Sequence, residues 1–444
     1  MNPDLLFQIR KLRPGKVLLT GARLASPGLR AEVTGDLLLD VGPVDVFGGG
    51  AGRAADLRGY PRRAVRVLAL GAGGPAAATR LDASGWLLMP GLVNAHTHLD
   101  LTHIGPRPAP GGFREFIDIV RRGRHSDEAA IALSVADGAA ACAGAGVVAV
   151  GDIAGAVAGR ASAAATRALA ATGLHGVSYL EFFALGAGER VGLDRVGEAL
   201  AGVRALDRPG FRVGVQPHAP YSVAPGAFED AAALGVPRCT HLAESPEEAR
   251  LVAHADGPLR DFLGEIGVWN DEASRAFGAG ASPVAHLAGV LRLGGWTVVH
   301  VNDASDADIA ILATSGASVV YCPRASAYFG AERAFGPHRY REMLRAGVNV
   351  ALGTDSVINL PLPDLSVWEE MRLLHRRDGV PGGTLLRMAT AGGARALGLD
   401  PRAFEFGAGA TLAGLSGVRT GGGGLDEALR GDDSPVTLLL GVLD

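Results

Sequence analysis

Lysine is almost missing from this 444-residue chain, where only Lys11 and Lys16 carry an ε-ammonium group. A binuclear metal centre bridged by a carbamylated lysine on a barrel strand is therefore excluded. Cysteine is scarce too: Cys142, Cys239 and Cys322 are odd in number and far apart. That spacing argues against a disulfide framework and favours a reducing cytoplasm. No run of about 18 uninterrupted apolar residues occurs, so no membrane span is expected. The first residues hold Asp4 and lack a basic start followed by an apolar core, so no secretory leader is read there. Charge of one sign is also lacking. A formal net charge of −4 gives no reason to expect nucleic acid or an anionic membrane as partner.

What is present is apolar mass, 48% of the residues, enough for a large buried core rather than a disordered chain. Arg in place of Lys, with 65 glycines, reads as the mark of a GC-rich genome rather than of function. Residues 17–89 read as short strands at Val17–Leu19, Ala31–Val41, Val65–Leu70 and Trp86–Met89. A Gly/Arg-rich surface insertion is expected at Gly48–Arg53. From Pro90 the pattern becomes strands alternating with Ala-rich helices, as in a parallel sheet. Eight strands are expected: Leu92–Ala95, Val147–Gly151, Val177–Phe183, Arg212–Gln216, Arg238–Thr240, Thr297–Val299, Ser318–Tyr321 and Asn349–Leu352. Helices are expected at Glu128–Cys142, Ala161–Ala171, Arg190–Leu206 and Leu365–Arg376, with extra helices between Glu244 and His286. Strand character returns at Thr411–Val418 and Val436–Val442, around a loose loop at Gly421–Asp433. The expected fold is α/β: a (β/α)8 TIM-like barrel over residues 90–400. Residues 1–89 and 401–444 would form a small discontinuous β-sandwich domain.

Polar residues of a particular kind stand at the ends of these strands. His96 and His98, one residue apart on the first, project to one face because side chains on a strand alternate. His241 ends the fifth strand and Asp355 follows the eighth. Three neutral imidazoles and a carboxylate suit one borderline divalent cation such as zinc, with a position left for water. The cation lowers the pKa of that water and makes hydroxide available as the nucleophile. Glu244, three residues after His241, is placed to move a proton from the water to the leaving group. His300, ending the sixth strand, is placed to polarise the substrate, and Asp355 also to accept a hydrogen bond from the nucleophile. Each has a blander reading. Asp355 suits a helix cap and Glu244 a helix-dipole acid, the reading given to Glu247 and Glu248. His218, between Pro217 and Pro220, reads equally as a turn histidine or a substrate contact.

The ordered motifs PGLVNAHTHLD (Pro90–Asp100), QPHAPYS (Gln216–Ser222), THLAES (Thr240–Ser245), VVHV (Val298–Val301), GTDS (Gly353–Ser356) and ATAGGARALGL (Ala389–Leu399) resemble the amidohydrolase superfamily. The likeness is to its mononuclear deaminase and chlorohydrolase branch. It implies a zinc or iron site made by His96, His98, His241 and Asp355, with Glu244 as proton shuttle and His300 beside the substrate. It also implies that His218 contacts the substrate from the fourth strand. The segment Tyr321–Gly330, YCPRASAYFG, is similar to one in aminodeoxyfutalosine deaminases. The family's usual C-terminal ADL is Ala413-Gly414-Leu415 here, a departure that touches only the edge of the β-domain.

The expectation is a hydrolytic deaminase of an aminopurine nucleoside-like compound, aminodeoxyfutalosine first, with Arg324 and Tyr328 holding its carboxylated or ribosyl part. The alternatives are a chlorohydrolase or other ring hydrolase sharing the site, and a non-catalytic scaffold that kept the barrel. A binuclear amidase or phosphoesterase would have to bridge its metals with a carboxylate, since the bridging lysine is missing. The expected partners are a small-molecule substrate and, at most, a second copy of the chain in a homodimer.

Overall fold

Val147–Ala154 is buried along its whole length, as a parallel strand covered on both faces must be. It belongs to a sheet of eight parallel strands that pair in chain order. They are Leu92–Thr97, Val147–Ala154, His175–Phe182, Phe211–Pro217, Arg238–Leu242, Trp296–His300, Ser318–Tyr321 and Asn349–Leu352. The computed structural model describes residues 5–44, 63–71, 73–431 and 435–441. The insertion expected at Gly48–Arg53 lies outside these.

The sheet closes on itself. Thr97 forms a parallel bridge with Asp355, and the amides of Thr354 and Asp355 both donate to the His96 carbonyl at 3.1 Å. Gly353 permits this closure, because a Cβ there would lie 2.9 Å from both the Cβ and the carbonyl oxygen of His96. All eight expected strands form, giving a TIM-like barrel whose strand ends share one rim.

Side-chain caps set several of the surrounding helices. Asp127 caps Glu128–Gly144 by accepting from the Ala130 amide, Ser305 and Asp308 close a capping box on Asp306–Ser315, and Ser366 caps Val367–Asp378. The helix expected at Leu365–Arg376 therefore starts after its cap. That expected at Arg190–Leu206 is Glu189–Ala201 followed by a separate 3-10 turn at Arg204–Leu206. Between Glu244 and His286 lie the helices Pro246–His254, Pro258–Glu265, Asp271–Arg275 and Pro283–His286, as expected.

The terminal segments share a second, mixed sheet of eight strands, which is the discontinuous β-domain. Its Trp86–Pro90 strand pairs antiparallel with Gly414–Arg419, bringing together parts of the chain more than 300 residues apart. Two features depart from expectation. A short strand, Thr79–Asp82, pairs with Gly15–Leu24, and the stretch read as a loose loop at Gly421–Asp433 contains the helix Leu425–Arg430. Leu425 and Leu429 of that helix are buried against the barrel core, a tertiary contact hidden by the flanking glycines. No helix among the described residues is long and apolar enough to cross a membrane.

Candidate active site

Six polar residues converge at the barrel rim, all buried: His96, His98, His241, Glu244, His300 and Asp355. The Nε2 atoms of His96 and His241 lie 3.3 Å apart. Asp355 Oδ1 is 3.7 Å from His96 Nε2 and 3.4 Å from His98 Nε2. His300 Nε2 is 3.5 Å from Glu244 Oε1. Ligand atoms of His96, His98 and His241 fall within 4.8 Å of one another, as do those of Glu244, His300 and Asp355.

The local backbone is unusual. Ala243, His300, Val301 and Asp355 have φ of +51°, +73°, +51° and +61°, left-handed conformations that non-glycine residues rarely adopt. Each follows or ends a barrel strand, and strain of this kind collects where side chains must be aimed. Surrounding contacts hold it. Glu248 accepts from the amides of Ala243 (3.0 Å) and Glu244 (2.9 Å), and Asn302 Nδ2 donates to the Glu244 carbonyl at 3.0 Å.

The electrostatics suit a cation held by neutral imidazoles. Burial pushes His98 down to about 3 and His241 well below the usual histidine range. Burial alone would raise Asp355, but the His96 hydrogen bond and the neighbouring histidines bring it down to about 2. Buried imidazoles, aimed together beside a carboxylate, form a donor set of the kind that holds zinc or a similar divalent ion. Glu244 behaves oppositely: burial, with the Asp355 charge next, pushes its carboxyl well up, so it holds a proton readily.

A cavity of about 820 Å³ opens over this cluster. Its wall includes His98, His218, His241, Glu244 and Asp355, together with apolar side chains such as Phe113, Phe116, Ile117 and Phe262. His218 shares a 2.8 Å hydrogen bond between its Nδ1 and the Ser222 hydroxyl. Arg324 and Tyr328 stand outside this wall. The Arg324 guanidinium donates to Glu370 at 2.6 Å, to Asp364 at 2.9 Å and to the Ser366 carbonyl at 2.9 Å, which ties the helix Pro323–Tyr328 to the start of the helix Val367–Asp378. Tyr328 donates its hydroxyl to the Arg107 carbonyl at 2.8 Å and packs behind Phe116.

Several site residues escaped sequence reasoning. Asp152 and Glu181 stand near the ends of the second and third strands, where the rule that singled out His96 and His241 would have found them. Asp152 Oδ1 accepts from the Leu99 amide at 2.9 Å, fixing the turn after His98, and burial pushes its carboxyl up to about 8. Glu248 stands in the first turn of the helix Pro246–His254, as its reading as a helix-dipole acid expects. It is fully buried, and only the tertiary fold shows that.

Known proteins resemble the chain along most of its length. It is 32% identical over 340 residues to an aminodeoxyfutalosine deaminase of Deinococcus radiodurans, covering 71% of this chain and 75% of that one. It is 29% identical over 373 residues to a 5-methylthioadenosine/S-adenosylhomocysteine deaminase of Halobacterium salinarum, covering 79% and 78%. Among solved structures, Helicobacter pylori aminofutalosine deaminase, in complex with methylthio-coformycin, superposes with a TM-score of 0.72 at 19% identity, covering 95% of this chain and 98% of that one. Atrazine chlorohydrolase from Arthrobacter aurescens, complexed with zinc, superposes at 0.67 with 19% identity, covering 91% and 87%. At such identities the two superpositions speak to fold. Residues 87–410 match the amidohydrolase family, and the chain belongs to that family.

Proposed function

We propose that this protein is a metal-dependent hydrolytic deaminase that releases ammonia from a 6-aminopurine nucleoside-like compound, with aminodeoxyfutalosine the first candidate. The observation that carries this reading is the Glu244–His300 pair, 3.5 Å apart, with Glu244 in the wall of a cavity large enough for a nucleoside. His96, His98, His241 and Asp355 would hold one divalent cation, zinc before iron. When bound, the ion supplies the Lewis acidity that makes water a nucleophile near neutral pH. Glu244 accepts a proton from the attacking water and passes it to the departing nitrogen. The water oxygen bonds to the amidine carbon of the ring, the carbon–amine bond breaks, and ammonia leaves with the transferred protons. His300 faces the developing charge on the ring, and Asp355 accepts a hydrogen bond from the water. His218 contacts the ring from the fourth strand. Tyr328 belongs to this reading as a support of the cavity wall, packed on Phe116, and Arg324 as the anchor of the helix Pro323–Tyr328 that carries it. The relatives named as deaminases support ammonia as the leaving group. Three buried, unpaired thiols, Cys142, Cys239 and Cys322, support a cytoplasmic setting.

Metal-loaded enzyme, assayed on aminopurine nucleosides and chlorotriazines for ammonia and chloride, tests the proposal. Ammonia from the nucleosides, lowered about 100- to 10,000-fold in Glu244→Gln, is expected. Chloride release without ammonia would replace the deaminase reading with a chlorohydrolase. Neither product would leave a scaffold.

A further inference from the structure

Glu181, near the end of the third barrel strand, has no part in the chemistry above, yet it lines the same cavity and is only 3% exposed. Its Oε2 is saturated, accepting from Arg124 Nη1 and from the Ala156 amide, both at 2.8 Å. Arg124 is itself fixed, with Nε 3.1 Å from Asp100 Oδ2 and Nη1 donating to the Ala156 carbonyl at 3.1 Å. Gly155 makes room for this arrangement, since a Cβ there would sit 2.4 Å from the guanidinium carbon. The other oxygen, Oε1, receives no hydrogen bond from the described residues. Its neighbour His218 Nε2 is 3.9 Å away, beyond hydrogen-bond range.

A carboxylate held ionised by an arginine accepts hydrogen bonds and donates none, so the group that meets Oε1 must be a donor. Much of the surrounding wall is apolar, including Phe113, Ile117, Leu185 and Phe262. A buried acceptor in such surroundings rewards the ligand that satisfies it and penalises one that does not. We propose that Glu181 is a specificity residue whose Oε1 accepts a hydrogen bond from the 2′- or 3′-hydroxyl of the substrate's sugar. The inference rests on the nucleoside reading of the same site.

The test is a cycle of kcat/KM values for wild type and Glu181→Gln on adenosine and on 2′,3′-dideoxyadenosine, with metal-loaded enzyme. In the variant the amide oxygen is drawn to Arg124 and the Ala156 amide, which turns an NH2 donor towards the substrate. Wild type is expected to prefer adenosine about 30-fold, the worth of a hydrogen bond to a charged group. Glu181→Gln is expected to lose most of that preference, chiefly through KM on adenosine, with a clearly smaller loss on the dideoxy compound. Equal losses on both substrates would overturn the proposal and make Glu181 a prop for Arg124 or His218. Equal wild-type rates on both substrates would overturn it without any variant. If Glu181→Gln folds poorly, Glu181→Asp keeps the ion pair, withdraws Oε1, and should show the same hydroxyl-dependent loss. No ammonia from either nucleoside with wild type would instead overturn the nucleoside reading, and this inference with it.

Discussion

The Nε2 of His338 donates to the main-chain carbonyl of His300 across 2.9 Å, clamping a residue whose φ is +73°. The Tyr340 amide donates to His338 Nδ1 at 3.0 Å, which fixes the ring as the neutral tautomer with its proton on Nε2. The ring stacks on Tyr321 with centroids 3.8 Å apart. His338 thus positions His300 from outside the reacting group. His338→Ala should lower kcat about tenfold with a smaller change in KM, since one buried hydrogen bond holds the strained turn. His338→Gln, which can restore the donor, should recover part of that loss. Steady-state kinetics checks both.

The same residue predicts a pH effect on stability. Burial holds folded His338 down at about 4, whereas the unfolded chain titrates it near 6.5. Between these values the unfolded state binds more protons, so this contribution is complete above pH 6.5 and fades as the pH falls towards 4. Melting temperatures at pH 7 and pH 5 should therefore drop less in His338→Gln than in wild type.

Glu248 should matter more than its place in a helix's first turn implies. Both its oxygens accept main-chain amides that set the turn after His241, including the left-handed Ala243. Glu248→Ala leaves two buried amides without partners, at about 1–3 kcal/mol each. Urea unfolding should show a loss of that size, and kcat should fall with it because Glu244 loses its anchor. Glu247→Ala, at the half-buried neighbouring position, should change both far less.

How much of this was legible in the chain varies by residue. His96, His98, His241, His300 and Asp355 stand out because chemistry placed at strand ends repeats in sequence order. The eight strands were legible because parallel strands buried on both faces are near-continuous apolar runs, as in Val147–Gly151. Glu181 and Arg124 were not, because their pairing joins positions 57 residues apart and needs the barrel to close first. Arg324 looked free in the sequence for the same reason: Asp364 and Glu370, which hold it, come 40 and 46 residues later. The helix Leu425–Arg430 was hidden by glycine-rich flanks, and only its docking through Leu425 and Leu429 makes it stable.

The central claim is that His96, His98, His241 and Asp355 together hold one divalent ion on which turnover depends. Elemental analysis of wild type and His241→Ala, purified alongside each other and each paired with an ammonia assay, tests it most directly. The account predicts one zinc or iron ion per wild-type chain, and loss of both metal and ammonia release in the variant. Metal-free wild type with undiminished turnover would contradict it.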